Sequence, residues 1–454
     1  MDIINPATGE TIASLDTDHQ QSLDAKLAIL QAGQKKWIQV PLQERIAILD
    51  RYAKLLETNL EPLAQTLTAE VGKPLQQARN EINGSRTRIA WLTANAMRYL
   101  SPETMYADDN LEETIHYEPL GVVCNISAWN YPYLVGTNVF VPALLAGNSV
   151  CYKPSEYATL TGLHIERLLK EAGIPDDAFQ MAIGGAPVGE MLLNMPFDGY
   201  YFTGSYKTGK YIYEKAAAKM VPCQCELGGK DPLYVTDEIL DIKAVAAGTA
   251  DGAFYNNGQS CCAVERIYVH EKVYDAYIKA FVDEVNSWQI GDPMQDGIYI
   301  GPLSRQSHIQ FLTSQVEDAL NKGAQLLSGG YAPASKGFYF TPTVFSGVTH
   351  EMDLMREETF GPLIGIMKVK DDEEAIRMMN DTAYGLTASV YSTTKERATS
   401  ILEKMDTGTA YWNCCDRVTP SLPWSGRNQS GFGSTLGHAG IRAFTQPKAY
   451  HLRK

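Results

Sequence analysis

Val122-Val123-Cys124-Asn125-Ile126, directly after Tyr117-Glu118-Pro119-Leu120-Gly121, opens a series of short apolar runs separated by helix-length stretches. A helix-like segment near Val135 to Ala146 comes next, then an apolar run at Ser149 to Tyr152 and a second helical segment at Leu160 to Ala172. Such alternation predicts parallel strands joined by crossover helices. A second series begins after Glu226, with strand candidates at Leu233 to Val235, Arg266 to Val269, Thr343 to Phe345 and Ile364 to Lys368. Upstream, Asp18 to Leu100 has apolar positions at helical spacing, as in Ile46, Leu49, Tyr52, Ala53 and Leu56, and reads as a packed helical layer. The fold class is therefore α/β. No internal repeat at a fixed period interrupts it.

A chain of 454 residues exceeds one ordinary core and divides into two or three compact units with room for a cleft between them. With 44% hydrophobic and 20% charged residues it reads as globular. The net charge of -14 argues against nucleic acid as a partner, since phosphate binding needs clustered Lys and Arg. Apolar stretches such as Val139 to Leu145 fall short of the roughly 20 residues that span a bilayer, so no membrane partner is expected. Met1 to Glu10 lacks a basic segment followed by an apolar run, so export is not expected. Eight cysteines spread over the chain do not form a dense disulfide framework, and a reducing cytoplasm fits them. Cys261-Cys262, Cys414-Cys415 and Cys223-x-Cys225 lack the spacers of structural zinc sites, and no metal is expected.

Gly258-Gln259-Ser260-Cys261-Cys262 comes about thirty residues after Glu226-Leu227-Gly228-Gly229-Lys230, a thiol and a carboxylate whose pattern suggests covalent aldehyde chemistry. Ala128-Trp129-Asn130-Tyr131-Pro132 lies upstream, Phe202-Thr203-Gly204-Ser205 between, and Glu357-Glu358-Thr359-Phe360-Gly361-Pro362 downstream. In these motifs and their order the chain resembles the NAD(P)-dependent aldehyde dehydrogenase superfamily, from Asn5-Pro6 almost to its last residues. The resemblance implies an aldehyde dehydrogenase-like fold with three parts. A Rossmann-type NAD-binding domain spans 1–100 and 120–228, and an α/β catalytic domain spans 229–425. A small β arm at 101–119 and 440–454, with strands about Met105 to Glu118 and Lys448 to His451, joins subunits into a dimer or tetramer.

A thiolate is needed to attack the aldehyde carbon and form a thiohemiacetal from which hydride leaves to nicotinamide. The family motif places that nucleophile two residues after the Gln, at Cys261, with Cys262 beside it as a small buried apolar residue. The plain reading of both is core packing, since free Cys is often buried. Thioester hydrolysis needs a base with a raised pKa, and Glu226 matches that position; by itself it reads as a partner of Lys230. Asn130 offers an amide to the developing oxyanion, together with the backbone N–H of the nucleophile by resemblance. As a lone residue it reads as a turn former. Ala128 stands where many family members have Pro.

No Gly-x-Gly-x-x-Gly string comes after a strand. Two glycine-bearing strand-to-helix turns, Gly184 to Gly189 and Phe202 to Gly209, stand in its stead. A helix N-terminus with the Ser205 hydroxyl suits a phosphate. By resemblance, Lys153 and Glu156 hold the adenine ribose, Glu358 and Phe360 the nicotinamide ribose and ring, and Ile126, Trp129, Ser155, Gly189, Gly204 and Leu227 complete the cofactor set. A carboxylate at Glu156 accepts from ribose hydroxyls and repels a 2′-phosphate, which predicts NAD, with NADP possible because Lys153 softens that exclusion.

Relatives line the aldehyde tunnel at positions matching Tyr131, Leu134, Tyr255, Val418 and Trp424, an aromatic and apolar channel for a small-molecule aldehyde. Arg417 in Asn413-Cys414-Cys415-Asp416-Arg417 suits a substrate carboxylate, which makes a semialdehyde the alternative; it reads more readily as a surface partner of Asp416 or another carboxylate. A coenzyme-A-acylating enzyme is a rival that Glu226 disfavours, since relatives of that kind generally lack it. A non-catalytic protein on the same fold is the other rival.

Overall fold

A computed structural model describes all 454 residues. The helical layer consists of α1 (Gln20–Trp37), α2 (Leu42–Thr58), α3 (Leu60–Val71) and α4 (Leu75–Leu100). In α2 the buried Ile48, Leu49, Tyr52 and Leu56 form one stripe, as the helical period dictates. That stripe packs into a core shared with the first sheet. Gly72 ends α3 with φ 85°, where a Cβ would lie 2.7 Å from Pro302; the left-handed turn sends Lys73 inward to complete burial.

The first sheet carries Val122–Ile126, Ser149–Lys153, Phe179–Met181, Gly199–Thr203 and Cys223–Glu226 in parallel. Between them run α5 (Pro132–Ala146), α6 (Thr159–Ala172), α7 (Ala186–Asn194) and α8 (Tyr206–Ala217). Every residue of Val122–Ile126 is buried, because helices cover both faces; hence the unbroken apolar run in the sequence. Val122–Ile126 pairs with Ser149–Lys153 on one side and Gly199–Thr203 on the other. Crossovers therefore leave in opposite directions there, which opens a crevice beyond the carboxyl ends of these strands.

The second sheet runs in space Gln325–Ser328, Thr343–Ser346, Leu363–Val369, Val264–His270, Asp231–Val235, Thr387–Tyr391, Thr409–Trp412. All its pairs are parallel except that of the Gln325–Ser328 edge. Val264–His270 begins two residues before the apolar run in the sequence, because Glu265 enters the strand as a buried carboxylate paired with Lys230 at 2.6 Å.

The arm is a three-stranded antiparallel sheet of Glu103–Ala107, Leu111–Pro119 and Thr445–Arg453. Its last strand begins only at Thr445, because Gly437–Arg442 is helical. Before reaching the arm, Gly431–Phe432 pairs antiparallel with Cys225 and Glu226, so the end of the chain returns to the first sheet. No helix is long and apolar enough to cross a membrane.

Candidate active site

The turn from Ile126 to Pro132 is held from below by a buried ion pair. Lys73 and Glu81 contact each other with both side chains out of solvent. Lys73 Nζ also donates to Asn130 O at 2.7 Å, and Glu81 Oε1 accepts the Tyr133 N–H at 2.8 Å. One pair thus fixes both the Asn130 carbonyl and the first turn of α5. Removing either partner leaves a buried charge unanswered, a loss of about 3–5 kcal/mol.

Asn130 is 3% exposed, and its Nδ2 donates to Gln259 O at 3.1 Å. Asn256 Nδ2 reaches Asn130 O at 3.2 Å and Gln259 O at 3.1 Å, stitching the same two segments together. Asn256 and Asn257 have φ of 55° and 58°, a left-handed conformation that Asn tolerates better than bulkier residues. This tight reversal after α9 (Ile242–Phe254) aims the adjoining Gln259-Ser260-Cys261 at the crevice. An Asn amide has two N–H groups and one is used here; the backbone N–H of Cys261 meets no protein acceptor. Two unengaged donors in neighbouring segments are what an oxyanion requires.

The two adjacent cysteines differ. Cys261 is half-buried, whereas Cys262 is 4% exposed and its Sγ donates to Asp416 Oδ1 at 2.9 Å. A hydrogen bond with Cys261, burial and the charge of Asp416 all push the Cys262 thiol up. Cys262 is therefore not the inert apolar residue expected from sequence but a proton donor tied to a carboxylate. Its thiolate is suppressed, and the thiol free to react is Cys261.

Glu226 ends its strand buried, and burial raises its carboxyl to about 7 against the opposing hydrogen bond from Thr435 and the charge of Arg88. Thr435 Oγ1 donates to Glu226 Oε1. A carboxylate poised near neutrality suits general-base work.

Cys261, Cys262 and Glu226 line one cavity of about 450 Å³ together with Tyr131, Leu134, Tyr255, Arg417, Val418 and Trp424. All six residues expected from sequence in the aldehyde tunnel meet there. The sequence reading missed Arg88, Asn138, Asp251 and Asp416 on the same wall. Arg88 belongs to a buried polar stripe of α4, Gln77, Glu81, Ser85 and Arg88. Polar residues at helical spacing were the available signal, indistinguishable in one sequence from a solvated face. The expected pairing of Arg417 with Asp416 is absent: Arg417 is exposed, makes no ion pair, and lies between this cavity and a neighbouring surface one.

The expected cofactor residues flank the adjoining crevice. Ile126 sits in register between Lys153 and Phe202, so the loops bearing Trp129, Glu156 and Gly204-Ser205 leave the sheet side by side. A Cβ on Gly189 would lie 3.9 Å from Lys153 Cε, and Gly185, the residue before α7, approaches Glu156 as closely. Ser155 Oγ donates to Glu156 Oε2 at 3.3 Å. Ser205 precedes α8 exposed, bonded to Thr208 Oγ1 at 3.1 Å and capping no backbone N–H. Leu227 is buried against Gly209.

Opposite, Phe360 is held at φ 49° by Glu265, which accepts the Thr359 and Phe360 N–H groups at 2.9 and 3.0 Å. Its ring meets Trp129 edge-on at 5.6 Å. Glu358 Oε1 accepts the Gly229 N–H at 3.1 Å, and burial and the charge of Glu265 raise its carboxyl to about 8. A Cβ on Gly228 would lie 2.1 Å from that carboxylate. Arg305, also missed in sequence, stacks 5.3 Å from the Trp129 ring with its Nε buried and unpartnered. A glycine cradle, helix N-termini and an unanswered cation fit an anionic dinucleotide.

A family model described as "Aldehyde dehydrogenase family" matches residues 1–450. The chain belongs to that family. It is similar to a succinate-semialdehyde dehydrogenase [NADP(+)] of Deinococcus radiodurans, 33% identical and covering 98% of this chain and 93% of the relative. A betaine aldehyde dehydrogenase of Cereibacter sphaeroides is 33% identical over 99% of this chain and 93% of its own length. Among solved structures, an NAD-dependent aldehyde dehydrogenase from Sinorhizobium meliloti superimposes with a TM-score of 0.96 at 33% identity, covering 100% of this chain and 91% of that one. As a member of the family the protein is an oxidoreductase acting on aldehydes with NAD or NADP.

Proposed function

We propose that the protein oxidises an aldehyde to its carboxylic acid by covalent catalysis at Cys261, with water as the final acceptor of the acyl group. The observation that carries this reading is the meeting of Cys261 and Glu226 in one cavity, beside the unengaged N–H of Cys261.

The Cys261 thiol gives up its proton to solvent water, and a sulfur–carbon bond forms as the carbonyl π pair moves to oxygen. The second N–H of Asn130 and the Cys261 N–H meet that oxygen, preorganised by Lys73, Gln259 and Asn256. The nicotinamide cofactor, when bound, accepts the hydride from the thiohemiacetal carbon. Lys153, Ser155 and Glu156 on one bank and Glu358 and Phe360 on the other would hold it, with NAD favoured because Glu156 repels a 2′-phosphate. Glu226 then takes a proton from water, which attacks the thioester; the carbon–sulfur bond breaks and the acid leaves. A thiol acceptor such as coenzyme A would have no need of that carboxylate, buried and held near neutrality. The arm is proposed to join subunits into a dimer or tetramer, since the long strand Thr445–Arg453 ends its sheet with one edge open.

A second reading, an aldehyde that itself bears a carboxylate, is favoured by Arg417, an unpaired cation on the cavity wall.

The test is the absorbance change with NAD and NADP over aliphatic, aromatic, cationic and carboxylated aldehydes, beside Cys261→Ala. Turnover should fall about 10³-fold or more in the variant, since the covalent route is lost. A variant as active as the parent would reject Cys261 as nucleophile.

A further inference from the structure

We propose that Arg88, oriented by Asn138, is the inner anchor for an anionic group on the substrate, so that the cavity selects aldehydes carrying a carboxylate. The proposal rests on the covalent reading above and adds to it the substrate class and the residue that sets it.

Arg88 comes from the helical layer, far in sequence from every motif, yet it lines the same cavity as Cys261 and Glu226. It is only 7% exposed and has no carboxylate within ion-pair distance. Its Nη1 donates to Asn138 Oδ1 at 2.9 Å and to Leu134 O at 3.4 Å, and no other protein acceptor meets the guanidinium. Asn138 is itself buried on α5, so the fork is held in one direction. A guanidinium offers five N–H donors suited to a bidentate carboxylate. A buried cation with no carboxylate hydrogen-bonded to it is costly even with the charge of Glu226 nearby, and a ligand anion bonded to it lowers that cost.

The other charges of the cavity do not compete for this role. Asp416 receives the Cys262 thiol, Asp251 receives the Tyr299 hydroxyl and Glu226 receives the Thr435 hydroxyl. Each carboxylate is thus hydrogen-bonded by a protein hydroxyl or thiol, whereas neither Arg88 nor Arg417 hydrogen-bonds a carboxylate, although the charge of Glu226 reaches Arg88 and that of Asp416 reaches Arg417. Arg88 lies buried in the wall and Arg417 exposed beside it. Tyr131, Leu134, Val135, Tyr255, Val418 and Trp424 form much of the remaining lining, interrupted by Asn80, Thr87 and Ser260, which suits a short carbon chain between the two polar ends of the substrate.

The experiment compares kcat/KM for a short ω-oxo carboxylate, the neutral alkanal of equal length and the corresponding ω-amino aldehyde, in the intact enzyme, Arg88→Gln, Arg88→Lys and Arg417→Gln. The intact enzyme should prefer the anionic aldehyde, and Arg88→Gln should cut its preference over the neutral one by about ten- to hundredfold, mainly through KM, as for lost hydrogen bonds to a charged group. Arg88→Lys should restore part of the preference. A second measurement needs no turnover and no substitution: Cys261 should react faster with iodoacetate relative to iodoacetamide than a free thiol does.

Several results overturn the proposal. One is an unchanged preference in Arg88→Gln, and another is a preference that moves only in Arg417→Gln. A cavity that favours the amino aldehyde, or an alkylation ratio equal to that of a free thiol, does so as well. If Arg88 served only to tune Glu226, Arg88→Gln would shift the pH profile for every aldehyde alike and leave the preference intact. Failure of the covalent reading would look different, as no Cys261-dependent turnover of any aldehyde.

Discussion

The two large sheets share a plan and use it from opposite ends. In each, the strand that comes first in sequence, Val122–Ile126 or Asp231–Val235, lies inside the sheet with later strands on both sides. The first sheet furnishes the site from the carboxyl ends of its strands: Asn130 after Ile126, Glu156 after Lys153, Ser205 after Thr203, and Glu226 itself. The second furnishes it mainly from the amino ends: Cys261 before Val264, Glu358 and Phe360 before Leu363. Carboxyl ends of parallel strands lead into helix N-termini, which suit the phosphates of a cofactor. Loops entering the amino ends have no such dipoles, and here they carry a thiol and carboxylates whose chemistry depends on burial instead. Facing one kind of edge with the other sets glycine turns and helix N-termini on one bank opposite the Cys261 thiol on the other.

Asn130 tests that arrangement most severely, because like Glu226 it stands on the bank of the glycine turns and is proposed to serve the chemistry. Asn130→Ala should lower kcat by about 10²–10³-fold, as loss of an oxyanion donor does, with the dissociation constant of NAD changed little. A large rise in that constant beside a normal kcat would return Asn130 to the cofactor. Gly228→Ala probes the opposite bank. The added methyl group collides with the Glu358 carboxylate, and overpacking of this kind costs about 1–3 kcal/mol, or roughly ten- to hundredfold in cofactor affinity. Calorimetric titration with NAD measures it, and an unaltered affinity would detach Glu358 from the cofactor. The smallest effect concerns pH. With Glu226 raised to about 7, hydrolysis should weaken as pH falls through that value, because the base becomes protonated. Thr435 lowers that pKa by bonding the anion, so Thr435→Val should move the acidic limb of kcat to higher pH, by up to about one unit for a bond worth 1.5 kcal/mol. A limb that stays or moves down would remove Glu226 from the rate-limiting step.

The fold was legible where burial is uniform. Val122–Ile126 and Ser149–Lys153 lie under helices on both faces and leave continuous apolar runs. The edge strands Thr409–Trp412 and Gln325–Ser328 are half-exposed and leave no such trace. Cys261, Glu226 and Asn130 stand in local motifs and could be named as candidates from the chain alone. Their supports could not. Lys73, Glu81 and Arg88 are single charged residues on or beside helices, a pattern that in one sequence reads as surface, and only packing against the first sheet turns them inward. The hydrogen bond from Cys262 to Asp416 joins residues 154 apart in the chain, a separation over which no spacing rule operates.

Thr435 and Glu226 are 209 residues apart, and the difference is one of time as well as of distance. During synthesis at about 5–20 residues per second, the carboxylate leaves the ribosome roughly 10–40 s before the hydroxyl that orients it. Cys261 emerges in that interval. Until the returning strand Gly431–Phe432 and the residues just after it are made, the Glu226 carboxylate has no hydroxyl to bond it. The proposed base therefore gains its partner only at the very end of translation, and a chain cut short in its last two dozen residues would keep the thiol and the carboxylate but lose the bond that tunes one of them.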